Sequence, residues 1–98
     1  MKMKESEYQR KVIEKLESIF PGCLILKNDP NYIQGIPDLT VLYKNKFAIL
    51  EIKKGAHENV QPNQEYYLNL AESNGAFACF LYPECEEEVI NGLKEYFS

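Results

Sequence analysis

The sequence predicts a mixed α/β domain, a central mixed sheet flanked by helices in the order α-β-β-β-α-β-α, and three patterns carry that expectation. Apolar residues recur at helical spacing in separate segments near the start, middle and end of the chain. Two strand-like runs are separated only by the polar Lys44-Asn45-Lys46, which reads as a hairpin. A further apolar run lies between the second and third helical segments, as a strand buried on both faces would. With 98 residues the chain has length for one domain, spanning 1–98 around a single core.

From Glu5 to Phe20, the residues Tyr8, Val12, Ile13, Leu16, Ile19 and Phe20 form an apolar stripe, and Pro21-Gly22 ends it. Cys23 to Lys27 is a short strand, followed by the turn-rich Asn28-Asp29-Pro30-Asn31 and irregular chain through Gly35. Asp38 to Tyr43 and Phe47 to Lys53 form the hairpin strands, and Gly55 to Asn59 a polar loop. Pro62 opens a second helix running to about Asn74, because proline suits a first helical turn and Asn74-Gly75 a last one. Ala76 to Tyr82 is the buried strand, ended by Pro83. Glu84 to Phe97 makes the last helix, with Glu84, Glu86, Glu87 and Glu88 solvated at its positive end and Val89, Ile90, Leu93 and Phe97 on its apolar side.

Hydrophobic residues are 45% and charged residues 27% of the chain, ordinary globular values that exclude a disordered or collagen-like protein. No run approaches a membrane span, and the charged start lacks the apolar core of a signal peptide. Cys23, Cys79 and Cys85 are odd in number, without CxxC spacing and set in apolar runs, which fits buried, reduced thiols in an intracellular, cytoplasmic protein. The net charge of −4 counts against an anionic partner such as nucleic acid. It is sorted along the chain, however: through Lys54 there are ten Lys/Arg against seven Asp/Glu, and beyond it one against eight. The basic part is the one that builds the hairpin, so nucleic acid should approach there and the acidic half should face away.

Alternation along the second hairpin strand puts Glu51 and Lys53 on one face with Phe47 and Ile49. A turn on Lys44-Asn45 sets Asp38 opposite Glu51, and a turn on Asn45-Lys46 sets it opposite Lys53. Either way all three side chains share a face. Two carboxylates directly opposed are destabilising unless a cation lies between them. Hard oxygen ligands suit Mg²⁺ or Mn²⁺ rather than zinc. A metal with a neighbouring ammonium is the equipment for phosphodiester hydrolysis, although acid-x-Lys alone also occurs as a solvated strand end. On a helical wheel Glu5 falls within the apolar stripe of the first helix, with Gln9 on the same side, so its carboxylate is either frayed into solvent or aimed at a cation. Gln64, near the start of the second helix, could reach a phosphate or water at the same place, or lie exposed. His57 and the tyrosines, Tyr43, Tyr66 and Tyr67 among them, read more simply as solvated loop and core.

Taken in order, Gly35-Ile36-Pro37-Asp38, Glu51-Ile52-Lys53, Gln64 and Gly75 resemble the VRR-NUC (virus-type replication-repair nuclease) branch of the PD-(D/E)xK nucleases. Glu5, Tyr8, Gln9 and Leu16 fit the first-helix pattern of that family, and the match spans nearly the whole chain. The neutral Asn31-Tyr32-Ile33-Gln34 departs from the basic residues that often precede Gly-x-Pro-Asp, and Lys27 is the nearest cation before it.

The resemblance implies a restriction-endonuclease-like fold and a metal-dependent deoxyribonuclease. Asp38, Glu51 and the backbone carbonyl of Ile52 would hold Mg²⁺, with Mn²⁺ able to substitute. Glu5 would support the metal or its water, Lys53 would position the nucleophile, and Gln64 would complete the catalytic set. It also implies branched DNA such as a Holliday junction as substrate, a homodimer whose two-fold axis matches that of a junction, and a setting in viral or phage replication and repair, in the host cytoplasm if viral. The other classes are a non-catalytic nucleic-acid-binding module and a protein-interaction domain that keep the fold.

Overall fold

The hairpin turns on Lys44-Asn45. Both residues have positive φ, 51° and 63°, the pair of left-handed conformations that makes a type I′ turn and matches the twist of the flanking strands. Tyr43 therefore pairs with Lys46, and the ladder runs without a bulge to Leu39 opposite Leu50. The computed structural model describes residues 3–98. Around the hairpin it places α1 (Glu5–Ile19), β1 (Leu24–Lys27), β2 (Leu39–Tyr43), β3 (Lys46–Ile52), α2 (Pro62–Ser73), β4 (Phe77–Leu81) and α3 (Glu86–Tyr96). The sheet order is β1-β2-β3-β4, antiparallel except for the parallel pair β3-β4, so the predicted mixed sheet and element order hold.

Strand parity sorts the side chains into two faces. Leu39, Val41, Ala48, Leu50, Ile52 and Leu81 are buried on one face, against Tyr8, Val12, Leu16 and Phe20 of α1 and its C-cap and Val89, Ile90, Leu93 and Phe97 of α3 and its end. α3 thus shares the core with α1. α2 lies on the opposite face against β4, where its one buried residue, Leu68, borders the same cleft as Ala78 and Phe80. No helix among the described residues is long and apolar enough to cross a membrane.

Some expectations change at the sheet margins. β4 is an edge strand, and only Leu81 in it is buried, because hydrogen bonding on one side leaves the other side of the strand open. The three cysteines are free and half-buried rather than buried. Pro83 starts a 3₁₀ turn over Pro83–Cys85, so α3 begins two residues later than its pattern suggests. Glu86 is not simply solvated: Tyr8 Oη donates to Oε1 at 2.7 Å and Lys15 Nζ to Oε2 at 2.6 Å, joining α1 to α3. Burial opposes ionisation of Glu86, yet those two donors hold its carboxyl below the usual range, while burial and this same anion push the Tyr8 phenol upward.

Because β4 runs parallel to β3, the segment following it starts at the same end of the sheet as Lys53. The acidic start of α3 therefore does not face away from the hairpin end; Glu84 Oε2 accepts the Ala56 N–H at 3.4 Å, just past Lys54. The carboxylates of Glu84, Glu87 and Glu88 gather on the β4 flank of that end.

Non-glycine residues in the left-handed region cost about 1 kcal/mol or more each. Replacing the turn by its preferred residues, Lys44→Asn together with Asn45→Gly, is expected to raise unfolding free energy in urea by about 1 kcal/mol without changing the register.

Candidate active site

Continuing the observed register past Leu39↔Leu50 sets Asp38 opposite Glu51 at the open end of the hairpin. There the side chains replace the ladder. Ile52 N–H donates to Asp38 Oδ2 at 2.8 Å, and Asp38 N–H donates to Glu51 Oε1 at 3.2 Å, so each carboxylate is fixed by backbone of the opposing strand. The residue that would complete the next ladder pair with Ile52 is Pro37, which has no N–H. The Ile52 carbonyl is left without a donor from β2, on the side where Asp38 lies. Asn28 closes this end from β1, its N–H donating to Asp38 O at 2.8 Å and its Nδ2 to Pro37 O at 2.8 Å.

α2 supplies the next contact. Gln64 Oε1 accepts the Gln61 N–H at 3.0 Å at the start of the helix, which turns Nε2 toward Glu51 Oε2, 2.8 Å away. Gln64 is therefore a half-buried donor to a carboxylate rather than an exposed residue of a terminal turn. The helix comes this close because of Gly35, whose φ is +88° and where a Cβ would overlap Asn63 Cβ. Lys53 Nζ lies 3.4 Å from Glu51 Oε2, with only 11% of its side chain exposed, and its own N–H is anchored on Leu81 O of β4 at 2.9 Å.

A search of solved structures finds similarity to one described as a VRR_NUC domain, with a TM-score of 0.72 over 95% of this chain and 97% of that one, at 23% sequence identity. The chain has the VRR-NUC fold. No family model matches the sequence, and no curated protein does.

The VRR-NUC scaffold here brings Asp38, Glu51, Lys53 and Gln64 together. Glu5, at the first residue of α1, is exposed but near enough for its charge to act on Asp38. Among the described residues, no three His, Cys, Asp or Glu side chains cluster so as to cage a metal, so side chains offer a carboxylate pair and no third ligand of that kind. His57 stays exposed in its loop, and Lys27 is exposed at the end of β1.

Burial dominates the electrostatics. It pushes the Asp38 carboxyl upward, partly offset by the Ile52 N–H and raised further by Glu5. Burial and then the Asp38 charge push Glu51 up to about 7, against the pull of Lys53. One ammonium does not neutralise both the buried Glu51 and the half-buried Asp38.

A raised carboxylate pKa means that the folded state keeps a proton which the unfolded chain releases near 4.5. Without divalent cations, stability is therefore expected to fall as pH rises from about 5 to about 8, by on the order of 3 kcal/mol. Urea unfolding at several pH values in EDTA measures this, and Glu51→Gln should flatten most of the slope.

Proposed function

We propose that this domain is a metal-dependent deoxyribonuclease acting on branched DNA. The observation that carries the reading is the convergence of Asp38, Glu51 and Lys53 at the hairpin end, with a half-buried and a buried carboxylate held by crossed hydrogen bonds and incompletely neutralised. The donor set fits Mg²⁺, with Mn²⁺ as substitute: two hard carboxylates, the Ile52 carbonyl that Pro37 leaves unpaired, and room in the coordination shell for water. Asp38, Glu51 and that carbonyl would hold the ion, with Glu5 supporting its water from the rim. When bound, Mg²⁺ polarises the phosphate and lowers the pKa of a coordinated water.

The protein's own groups supply the rest. Lys53 presents an ammonium beside Glu51, where it orients the attacking water and offsets charge developing on the phosphate oxygens. Gln64 and the Asp38 N–H hold the Glu51 carboxylate from two sides, so its orientation is set before substrate arrives. The acidic β4 flank repels a polyanion, and a strand is thereby directed across the β1-β2 side. Action on two symmetric strands favours a homodimer, whose two-fold axis matches that of a four-way junction. The presence of all three residues argues against a non-catalytic module, which has no need of a desolvated, mutually repelling pair.

The expected outcome is cutting of a labelled four-way junction in Mg²⁺ or Mn²⁺ and none in EDTA, with weaker cutting of linear duplex. Asp38→Ala and Lys53→Ala should each lower the rate by roughly 10²-fold or more. Failure of the wild type to cut junction, flap or duplex with either metal refutes the enzyme; equal cutting of duplex and junction refutes the substrate preference.

A further inference from the structure

We infer that Tyr32 is a specificity-determining residue, stacking its ring on an unpaired nucleobase of the substrate beside the hairpin-end site. The inference rests on the nuclease reading and adds to it the group that would tell a branch from continuous duplex.

Tyr32 is the most exposed of the large hydrophobic residues, at 85% of its surface, and joins none of the aromatic pairs among the described residues. A bare aromatic ring on a floppy segment would mean little. This segment is built, however. Asp29 Oδ1 accepts the Asn31 N–H at 2.8 Å, and Asp29 O accepts the N–H groups of Tyr32 and Ile33 at 3.1 and 3.3 Å. Ile36 N–H returns to Ile33 O at 3.2 Å, and Asn63 Nδ2 of α2 reaches Gln34 O at 3.4 Å.

Both ends of this loop belong to the candidate site. Asn28 at its start is bonded to the Asp38 and Pro37 carbonyls, and Gly35 at its end lies against Asn63, the neighbour of Gln64. Tyr32 is six residues from Asp38, which bounds their separation at roughly 20 Å, within reach of the nucleotides flanking a phosphate held at the site.

The chemistry of the loop selects the kind of contact. From Asn28 to Ile36 the only charged residue is Asp29, so the loop has no cation for phosphate and offers an aromatic face instead. The loop belongs to the β1-β2 side, away from the Glu84, Glu87 and Glu88 carboxylates, where an anionic strand can pass. Along the loop, three of its four exposed neighbours, Asp29, Asn31 and Gln34, are polar and Pro30 is the fourth, a less apolar setting than that of a protein-docking anchor. A base inside continuous duplex is already stacked on its neighbours, whereas one at a branch has a free face that such a ring can cover.

The test compares wild type, Tyr32→Ala and Tyr32→Phe on a four-way junction and on linear duplex of equal length, by cleavage in Mg²⁺ and by binding in EDTA. A junction with 2-aminopurine at the branch reports stacking by its fluorescence. Tyr32→Ala is expected to lower junction kcat/KM about tenfold, leave duplex within about twofold, and abolish wild-type quenching of the 2-aminopurine; Tyr32→Phe should behave as wild type. Unchanged melting temperature and sedimentation of Tyr32→Ala are part of the expected result. Equal effects on both DNAs, no effect on either, or dissociation of a dimer on substitution overturns the inference while leaving the nuclease reading in place. A wild type that neither cuts nor binds any of these DNAs overturns both.

Discussion

At the open end of one hairpin, two carboxylates stand across from each other, each fastened by an N–H of the opposing strand. Most of the surrounding architecture follows from keeping them there. The type I′ turn sets the register that opposes Asp38 and Glu51, and a slip of one residue would send the two side chains to different faces. Pro37 removes a ladder donor where Ile52 would use it, and Gly35 admits the first turn of α2 so that Gln64 can hold Glu51 from the other side. The parallel strand β4 anchors Lys53 beside the pair through Leu81 O. Each device is local, yet together they draw on β1, β2, β3, β4 and α2.

The arrangement costs stability. Burial raises the pKa of both, and the Asp38 charge pushes Glu51 further, so that it titrates close to neutrality. The rest of the fold offsets that cost with an apolar core between the sheet and α1 and α3, in which Leu16, Leu39, Leu50, Ile52, Leu81 and Leu93 are fully buried, and with the Tyr8–Glu86–Lys15 contact that ties the two helices. Local electrostatic strain at a site supported by a sound core is the pattern expected where a cation or substrate is to supply the missing charge.

Much of this was legible in the residue order. The turn residues and strand alternation placed Asp38, Glu51 and Lys53 on one face, because a two-residue turn leaves little freedom of register. The helices followed from periodicity, with Pro62 and Pro21-Gly22 as punctuation. What the sequence hid were relations between distant segments. Glu86 reads as one more solvated glutamate until α1 is packed beside it. Gln64 could be assigned to the site from its place at the start of α2, but that its amide donates to Glu51 shows only once Gly35 lets the helix approach. The parallel placement of β4 brings the acidic start of α3 to the functional end, which no local pattern reveals. Nor could spacing show that Tyr32 is the most exposed of the described tyrosines, or that Tyr66, expected in the core, also lies in solvent.

The proposed chemistry requires Asp38 and Glu51 to form an under-neutralised pair that a divalent cation would complete. The carboxyl ¹³C resonance of Glu51, assigned through Glu51→Gln and titrated with and without Mg²⁺, tests it most directly. A midpoint near 7 in EDTA, moved down by about one pH unit or more by Mg²⁺, is the predicted result. A midpoint at the ordinary 4.5, or one that Mg²⁺ leaves in place, would contradict it.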